Sequence, residues 1–187
     1  PLLYPLNVLA SFDSVRGLRG ILNGTTNFIL SEMAKGIPFD AALKEAQRLG
    51  FAEKDPRADL QGLDLVRKAA ILAMLIYHEE VALGAIVHFG IENLPFSLAD
   101  VLKKEKRILK FIVDIHPYQD GLSIVIMPTL LKAEDPLASI NEETNAVMVD
   151  AKANGPLLFS GKGAGEFPTA SAMISDLERY KHQAALP

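Results

Sequence analysis

Strand-like segments follow one another without an intervening helix in the second half of the chain, and this order restricts the fold most strongly. They lie at residues 107–115, 122–127, 146–151 and 156–159. Tight turns around Asp120-Gly121 and Asn154-Gly155 join them in pairs, as in β-hairpins. Because helix-like segments precede them, we expect an α+β fold with a mixed, largely antiparallel sheet covered by helices, and not a doubly wound parallel sheet.

The segments before these strands carry the start and stop residues of helices. A strand is predicted at 15–22, helices at 25–35, 40–49, 59–77, 97–104 and 169–181, and a loop at 51–57. Thr25 or Thr26 is the expected N-cap of the first helix, and Asp59 is the expected N-cap of the third. Pro56 favours the loop, because it disfavours helical backbone at the residue before it.

Composition excludes several classes of function. The 187 residues suffice for one domain with a sizeable core, and no internal linker divides residues 1–187. The net charge of −4 argues against a nucleic-acid partner. The absence of cysteine excludes disulfides and thiolate sites and suits a cytoplasmic protein. The four histidines lack ligand spacing, so no metal is expected, and the longest apolar run, 69–77, is too short to cross a membrane.

Acidic residues surround one lysine in the segment 46–68, which reads AQRLGFAEKDPRADLQGLDLVRK. Glu53, Asp59 and Asp64 precede Lys68, and the i, i+4 spacing of Asp64 and Lys68 places both on one face of the predicted helix. On spacing alone, an exposed pair of this kind is usually a surface ion pair worth about 0.3–0.5 kcal/mol. A functional interpretation is a site for proton transfer on a small amino acid, whose ammonium group the carboxylates would receive.

Three segments together resemble the homoserine dehydrogenase family. The first is the segment 46–68, whose A-x-x-x-G-F-A-E-x-D-P-x-x-D-L-x-G-x-D-x-x-x-K pattern looks like the signature of that family. The second is the turn NGTTN at 23–27, and the third is GKGAG at 161–165, followed by PTASA and SD. They occur in the order that the family shows and cover nearly the whole chain.

The resemblance implies roles for individual residues. Lys68 would be the proton donor and acceptor at the oxygen of the substrate, with Asp64 and Glu53 binding the substrate beside it. Asp59 has two competing interpretations, as a helix N-cap worth roughly 1 kcal/mol and as a residue of the site, and both can hold. Gly24 and Thr25 would lie near the carboxylate of the substrate, since a helix N-terminus suits an anion.

The cofactor implied by the resemblance is NAD or NADP, used to interconvert L-homoserine and L-aspartate 4-semialdehyde on the way to threonine, methionine and isoleucine. Gly165 would touch this cofactor. GKGAG is not itself a dinucleotide fingerprint, because Glu166 stands where the last glycine belongs. The sequence has no strand, G-x-G-x-x-G turn and helix of a Rossmann unit, nor an ACT domain. The chain would then be the catalytic and dimerisation region of such an enzyme, inactive by itself. Because the sheet of this region forms the subunit interface in the family, the resemblance also implies a homodimer or larger oligomer.

Two other hypotheses fit the residues. The chain could be a dimerising, amino-acid-binding module that performs no chemistry. Alternatively, Lys68 could form a Schiff base, as in an aldolase. That reaction needs an uncharged amine, whereas Asp59 and Asp64 would favour the charged form of the lysine.

Overall fold

A six-stranded sheet, in the order β2-β4-β3-β1-β5-β6, organises the computed structural model, which describes residues 2–95, 102 and 104–184. The strands are β1 (Val15–Ile21), β2 (Val87–His88), β3 (Arg107–Tyr118), β4 (Gly121–Lys132), β5 (Thr144–Ala151) and β6 (Gly155–Lys162). Among these described strands, β2 and β4 pair in parallel, and the other neighbours pair antiparallel. The predicted mixed, largely antiparallel sheet is therefore confirmed.

Six α-helices lie in the described part of the chain. They are α1 (Leu3–Phe12), α2 (Gly24–Ala34), α3 (Phe39–Arg48), α4 (Arg57–Leu60), α5 (Leu63–Tyr77) and α6 (Glu166–Ala184). Short 3-10 turns occupy Leu83–Ala85 and Pro136–Ser139. With the helices gathered mainly before the strands, the α+β class is confirmed. None of the helices in the described ranges is long and apolar enough to span a bilayer.

Helix α5 forms the centre of the main core. Its buried residues, spaced by three or four positions along one face, are Leu65, Val66, Ala69, Leu72, Ala73 and Ile76. This face packs on the sheet, where β3 contributes Phe111, Val113 and Ile115. Because side chains alternate along a strand, Ile112 of β3 points to the opposite face and packs in a second, smaller cluster with the Pro136–Ser139 turn. Helices thus cover one face of the sheet more fully than the other.

Two predicted helix starts were wrong. Asn23, and not Thr25 or Thr26, caps α2, because its side-chain oxygen accepts the backbone N–H of Thr26 at 2.9 Å. Asp59 caps no long helix. It lies within α4, and α5 begins after Gly62, whose φ of +81° breaks the helical path. Only glycine adopts this conformation readily, and the ring of Phe111 leaves little room for a Cβ there.

Some elements lay beyond the sequence prediction. Helix α1 was missed, since Pro5 masks its signal, although proline is tolerated in a first helical turn where N–H groups need no partner. The last helix begins earlier than predicted, at Glu166. The predicted helix at 97–104 falls largely outside the described residues.

Candidate functional site

Asn23 joins three segments at the end of β1. Its Oδ1 caps α2, while its Nδ2 donates to Asp59 Oδ1 at 2.8 Å and to Asp64 Oδ2 at 3.2 Å. One amide therefore fixes the first turn of α2 relative to α4 and α5. Sequence reasoning assigned Asn23 only to a turn, although asparagine is a preferred N-cap, and this preference was the available signal.

Lys68 and Asp64 form the predicted pair on α5. Lys68 Nζ lies 2.8 Å from Asp64 Oδ2 and donates to the backbone oxygen of Leu22 at 2.9 Å. An ammonium group has three N–H donors, and the hydrogen bond to Leu22 uses one of them. The Lys68 side chain is 42% exposed, so its ammonium group is oriented by protein oxygens and still reached by solvent.

A cavity of about 530 Å³ opens over this pair. Its wall brings together five parts of the chain: residues 23–25, 49–51, the Asp59–Asp64–Lys68 cluster, Glu143 and Asn145 at the start of β5, and residues 162–168 from the end of β6 into α6. Of the predicted site residues, it is lined by Gly24, Thr25, Asp59, Asp64, Lys68 and Gly165. The structure thus places six predicted residues, separated by up to 141 positions in sequence (165 − 24), around one space.

Glu53 is the exception among the predicted residues. It is exposed in the loop before α4 and is not part of the cavity wall. Its backbone oxygen accepts a hydrogen bond from Gln47 Nε2 at 3.1 Å, which ties this loop to α3. Phe51, two residues earlier in the chain than Glu53, does line the cavity.

Negative charge exceeds positive charge in the cavity wall. The carboxylates belong to Asp59, Asp64, Glu143 and Glu166, and the ammonium groups to Lys68 and Lys162. Four carboxylates against two ammonium groups favour a ligand that carries a cationic group. Lys162 lies 3.3 Å from Glu143. A hydrogen bond from its own backbone N–H, and then the Lys162 ammonium, hold the pKa of Glu143 below its ordinary value.

Gly24 and Thr25 bring the start of α2 into the wall. A Cβ on Gly24 would lie 2.7 Å from the backbone oxygen of Glu143, so only glycine allows the two segments to approach this closely. The Thr25 hydroxyl donates to the backbone oxygen of Phe51 at 2.5 Å, which holds the 49–51 segment against the helix. The helix N-terminus then presents backbone N–H groups, which suit an anion.

The turn between β6 and α6 forms another part of the cavity wall. Gly165 adopts a φ of +111°, which disfavours any other residue. A Cβ on Gly163 would overlap the side chain of Asn145, so backbone and amide pack directly together. Glu143, Asn145 and Lys162 were not predicted as site residues, because they lie at strand ends whose neighbours only the fold defines.

In the described ranges, no group of three or more His, Asp or Glu side chains is arranged so that it could hold a metal ion. The fold and the cavity together define a class of protein. This is an α+β domain whose cavity presents an oriented ammonium group beside several carboxylates, an arrangement suited to acid–base chemistry on a small polar molecule.

Comparison with known proteins narrows this class. The family model for homoserine dehydrogenase matches residues 1–177, and the chain belongs to that family of oxidoreductases. It is 38% identical over 183 residues to the homoserine dehydrogenase of Corynebacterium glutamicum and 40% identical over 178 residues to that of Bacillus subtilis. Each alignment covers 95% of this chain but 41% of the relative, so the chain spans less than half the length of these proteins.

Solved structures agree in fold. The homoserine dehydrogenase of Thiobacillus denitrificans superposes with a TM-score of 0.90 at 36% identity, over 95% of this chain and 41% of that one. A putative homoserine dehydrogenase of Archaeoglobus fulgidus gives a TM-score of 0.88 at 29% identity, over 96% and 55%. The arrangement of helices and sheet described above is therefore the one found in this family.

Proposed function

We propose that this chain is the catalytic region of an NAD(P)-dependent homoserine dehydrogenase, which interconverts L-homoserine and L-aspartate 4-semialdehyde for threonine, methionine and isoleucine biosynthesis. The observation that carries the proposal is the position of Lys68 Nζ at the cavity, held by Asp64 Oδ2 and the backbone oxygen of Leu22. Membership of the family supports the reaction type. A cytoplasmic location is part of the proposal, since a chain without cysteine needs no oxidising compartment.

Lys68 is assigned the proton transfer. Reduction of the aldehyde adds a hydride to the carbonyl carbon, and the electron pair of the C=O bond becomes an alkoxide. The ammonium group of Lys68 gives that oxygen a proton, and its partial exposure allows solvent to return one. Oxidation runs the same steps backwards, with the neutral amine taking the hydroxyl proton. Asp64 keeps Nζ directed to one point throughout.

Other groups in the wall are assigned to the two ends of the amino acid. Carboxylates of Asp59 and Asp64, joined by the amide of Asn23, would receive the α-ammonium group. Backbone N–H groups at Gly24 and Thr25 would receive the α-carboxylate. Glu53 keeps its place in the proposal as a substrate-binding residue, on the condition that its side chain, two residues after the wall residue Phe51, turns towards the cavity.

NAD(P) supplies the hydride acceptor or donor when it is bound. The residues present fit only its nicotinamide end. Gly163 and Gly165 contribute only backbone to the wall, so the flat nicotinamide ring could approach it there. Four carboxylates nearby would repel the phosphates. A separate nucleotide-binding domain would therefore hold most of the cofactor, and residues 1–187 alone would be inactive.

A homodimer or larger homo-oligomer also belongs to the proposal. The sheet face opposite the main core carries apolar side chains that protein covers only in part. Met127 and Leu158 are 41% and 44% exposed there, and Met148 lies between the smaller core and Leu158. Apolar surface on an open sheet face is typical of a protein–protein contact.

The alternatives differ in what they predict for the same sample. A non-enzymatic module would bind homoserine and leave NAD(P) unchanged. A Schiff-base enzyme would be trapped at Lys68 by borohydride with a carbonyl substrate. The test is homoserine-dependent reduction of NAD or NADP by the complete polypeptide that contains this chain. We expect turnover, and no turnover despite homoserine binding would refute the proposal in favour of the binding module.

A further inference from the structure

Lys110 is a buried lysine, and among the described residues no acidic side chain accepts a hydrogen bond from its ammonium group. It lies on β3 and is 1% exposed. Its ammonium group donates to Asn27 Oδ1 at 3.2 Å, to Asn141 Oδ1 at 3.0 Å and to the backbone oxygen of Ile140. All three acceptors are neutral. A buried ammonium group without a carboxylate costs stability, so its retention calls for a reason beyond packing.

The three acceptors belong to two different segments. Asn27 is on α2, less than one turn after the wall residues Gly24 and Thr25. Ile140 and Asn141 begin the segment 140–145 that leads into β5. The Asn27 amide also donates to the backbone oxygens of Ile140 and Thr144, each at 3.1 Å. Lys110 and Asn27 therefore both bind segment 140–145.

Further contacts run along the same side of α2. The backbone N–H of Glu142 donates to Ser31 Oγ at 3.2 Å, and the backbone oxygen of Glu143 lies against Gly24. Gly24, Asn27 and Ser31 are spaced by three and four residues, so they form one helical face. Segment 140–145 thus lies along this face and carries Glu143 and Asn145 into the cavity wall.

We propose that Lys110 is a positioning residue, whose buried ammonium group fixes segment 140–145 against α2 and so sets the place of Glu143 and Asn145 in the cavity. The inference rests on the proposed function for its effect on homoserine. A neutral amine offers two donors and an ammonium group three, which matches the three oxygens. Lys110 lies outside the cavity wall and acts only through these two residues.

The test combines two measurements on the complete polypeptide that contains this chain. Hydrogen exchange reports how firmly segment 140–145 is held, and steady-state kinetics reports KM for homoserine and kcat separately. Lys110→Met removes the ammonium group at similar volume, and Asn141→Ala removes one acceptor at an exposed position, where misfolding is not expected. Lys44→Met, at an exposed position on α3, is the matched control.

We expect the Glu142 amide to exchange at least about tenfold faster in Lys110→Met, the size expected for one hydrogen bond to a charged group, and less so in Asn141→Ala. Amides of the β3–β4 ladder should keep their rates. KM for homoserine should rise about tenfold with kcat within about twofold, since Lys68 is untouched.

Unchanged exchange and KM in Asn141→Ala and Lys110→Met would overturn the inference. A parent protein that does not bind homoserine would refute the proposed function alone, and the exchange rates would still decide the role of Lys110.

Discussion

Asn23 is hydrogen-bonded to Asp64 in the cavity wall, where the amide Nδ2 of Asn23 donates to Asp64 Oδ2 at 3.2 Å. The same carboxylate oxygen forms an ion pair with Lys68 Nζ, which lies 2.8 Å away. A helix cap on α2 and a lysine on α5 are therefore fixed through one atom. The orientation of Lys68 depends in this way on a residue that contacts it only indirectly.

Asn23 performs two tasks that substitution can separate. Serine is also a good N-cap but cannot donate to two carboxylates as an amide does. Asn23→Ser should keep the stability of α2 within roughly 0.5 kcal/mol, while Asn23→Ala should lose about 1 kcal/mol. Both should lower kcat/KM for homoserine by about tenfold or more. Urea denaturation and steady-state kinetics measure the two effects, and full activity of Asn23→Ser would contradict the proposed link to Asp59 and Asp64.

Gly24 is required by close approach of the backbone. Its Cβ would lie 2.7 Å from the backbone oxygen of Glu143, so Gly24→Ala should force the two segments apart and cost about 1–3 kcal/mol of unfolding free energy. The matched control is Gly84→Ala, because no atom lies within 4 Å of a Cβ there. Thermal or urea denaturation compares them. Equal stability of the two variants would show that the contact with Glu143 is not tight.

Burial of Lys110 makes stability depend on pH. Desolvation lowers the pKa of Lys110 to about 8 from an ordinary value of 10.5. Between these values the unfolded chain holds the proton more tightly than the folded chain, so raising the pH favours the folded state. The unfolding free energy of the parent minus that of Lys110→Met should therefore be flat below pH 8 and rise towards pH 10.5. A difference that stays constant or falls over this range would contradict the burial of a charged lysine.

A charged substitution tests whether the open face of the sheet is a subunit interface. Leu158→Lys places an ammonium group among the partly exposed apolar residues of β4, β5 and β6 and should shift the protein towards monomer in sedimentation velocity. Ile71→Lys is the control, since Ile71 is 54% exposed on α5, away from this face. Equal association states for Leu158→Lys and the parent would exclude this face as the interface.

Local patterns were sufficient to predict most of the sheet. The hairpins around Asp120-Gly121 and Asn154-Gly155 and the strand at 15–22 all formed, because alternation and turn residues act over a few positions. Helix starts were less predictable. Asn23, Thr25 and Thr26 are all suitable caps, and only the final path of β1 selects Asn23. The break at Gly62 depends on the ring of Phe111, which is distant in sequence.

The site divided in the same way. Asp64 and Lys68 are neighbours on one helix, so their spacing alone predicted the pair. Gly24 and Gly165 were predicted as site residues from the family resemblance. The resemblance relates residues that are distant in sequence, which local spacing cannot do. Glu143, Asn145 and Lys110 were beyond prediction, because each depends on where segment 140–145 packs against α2. The roles of Lys68, Asp64, Asp59 and Glu53 stay predictions.

The proton-transfer role of Lys68 is the central claim, and turnover of Lys68→Ala tests it most directly. The measurement is kcat for homoserine oxidation in the complete polypeptide, with Arg67→Ala, an exposed neighbour on α5, as the control. We predict a loss of roughly 10²–10⁴-fold for Lys68→Ala, the usual contribution of a positioned acid–base group, and near-parent turnover for Arg67→Ala. Near-parent turnover of Lys68→Ala would contradict the account.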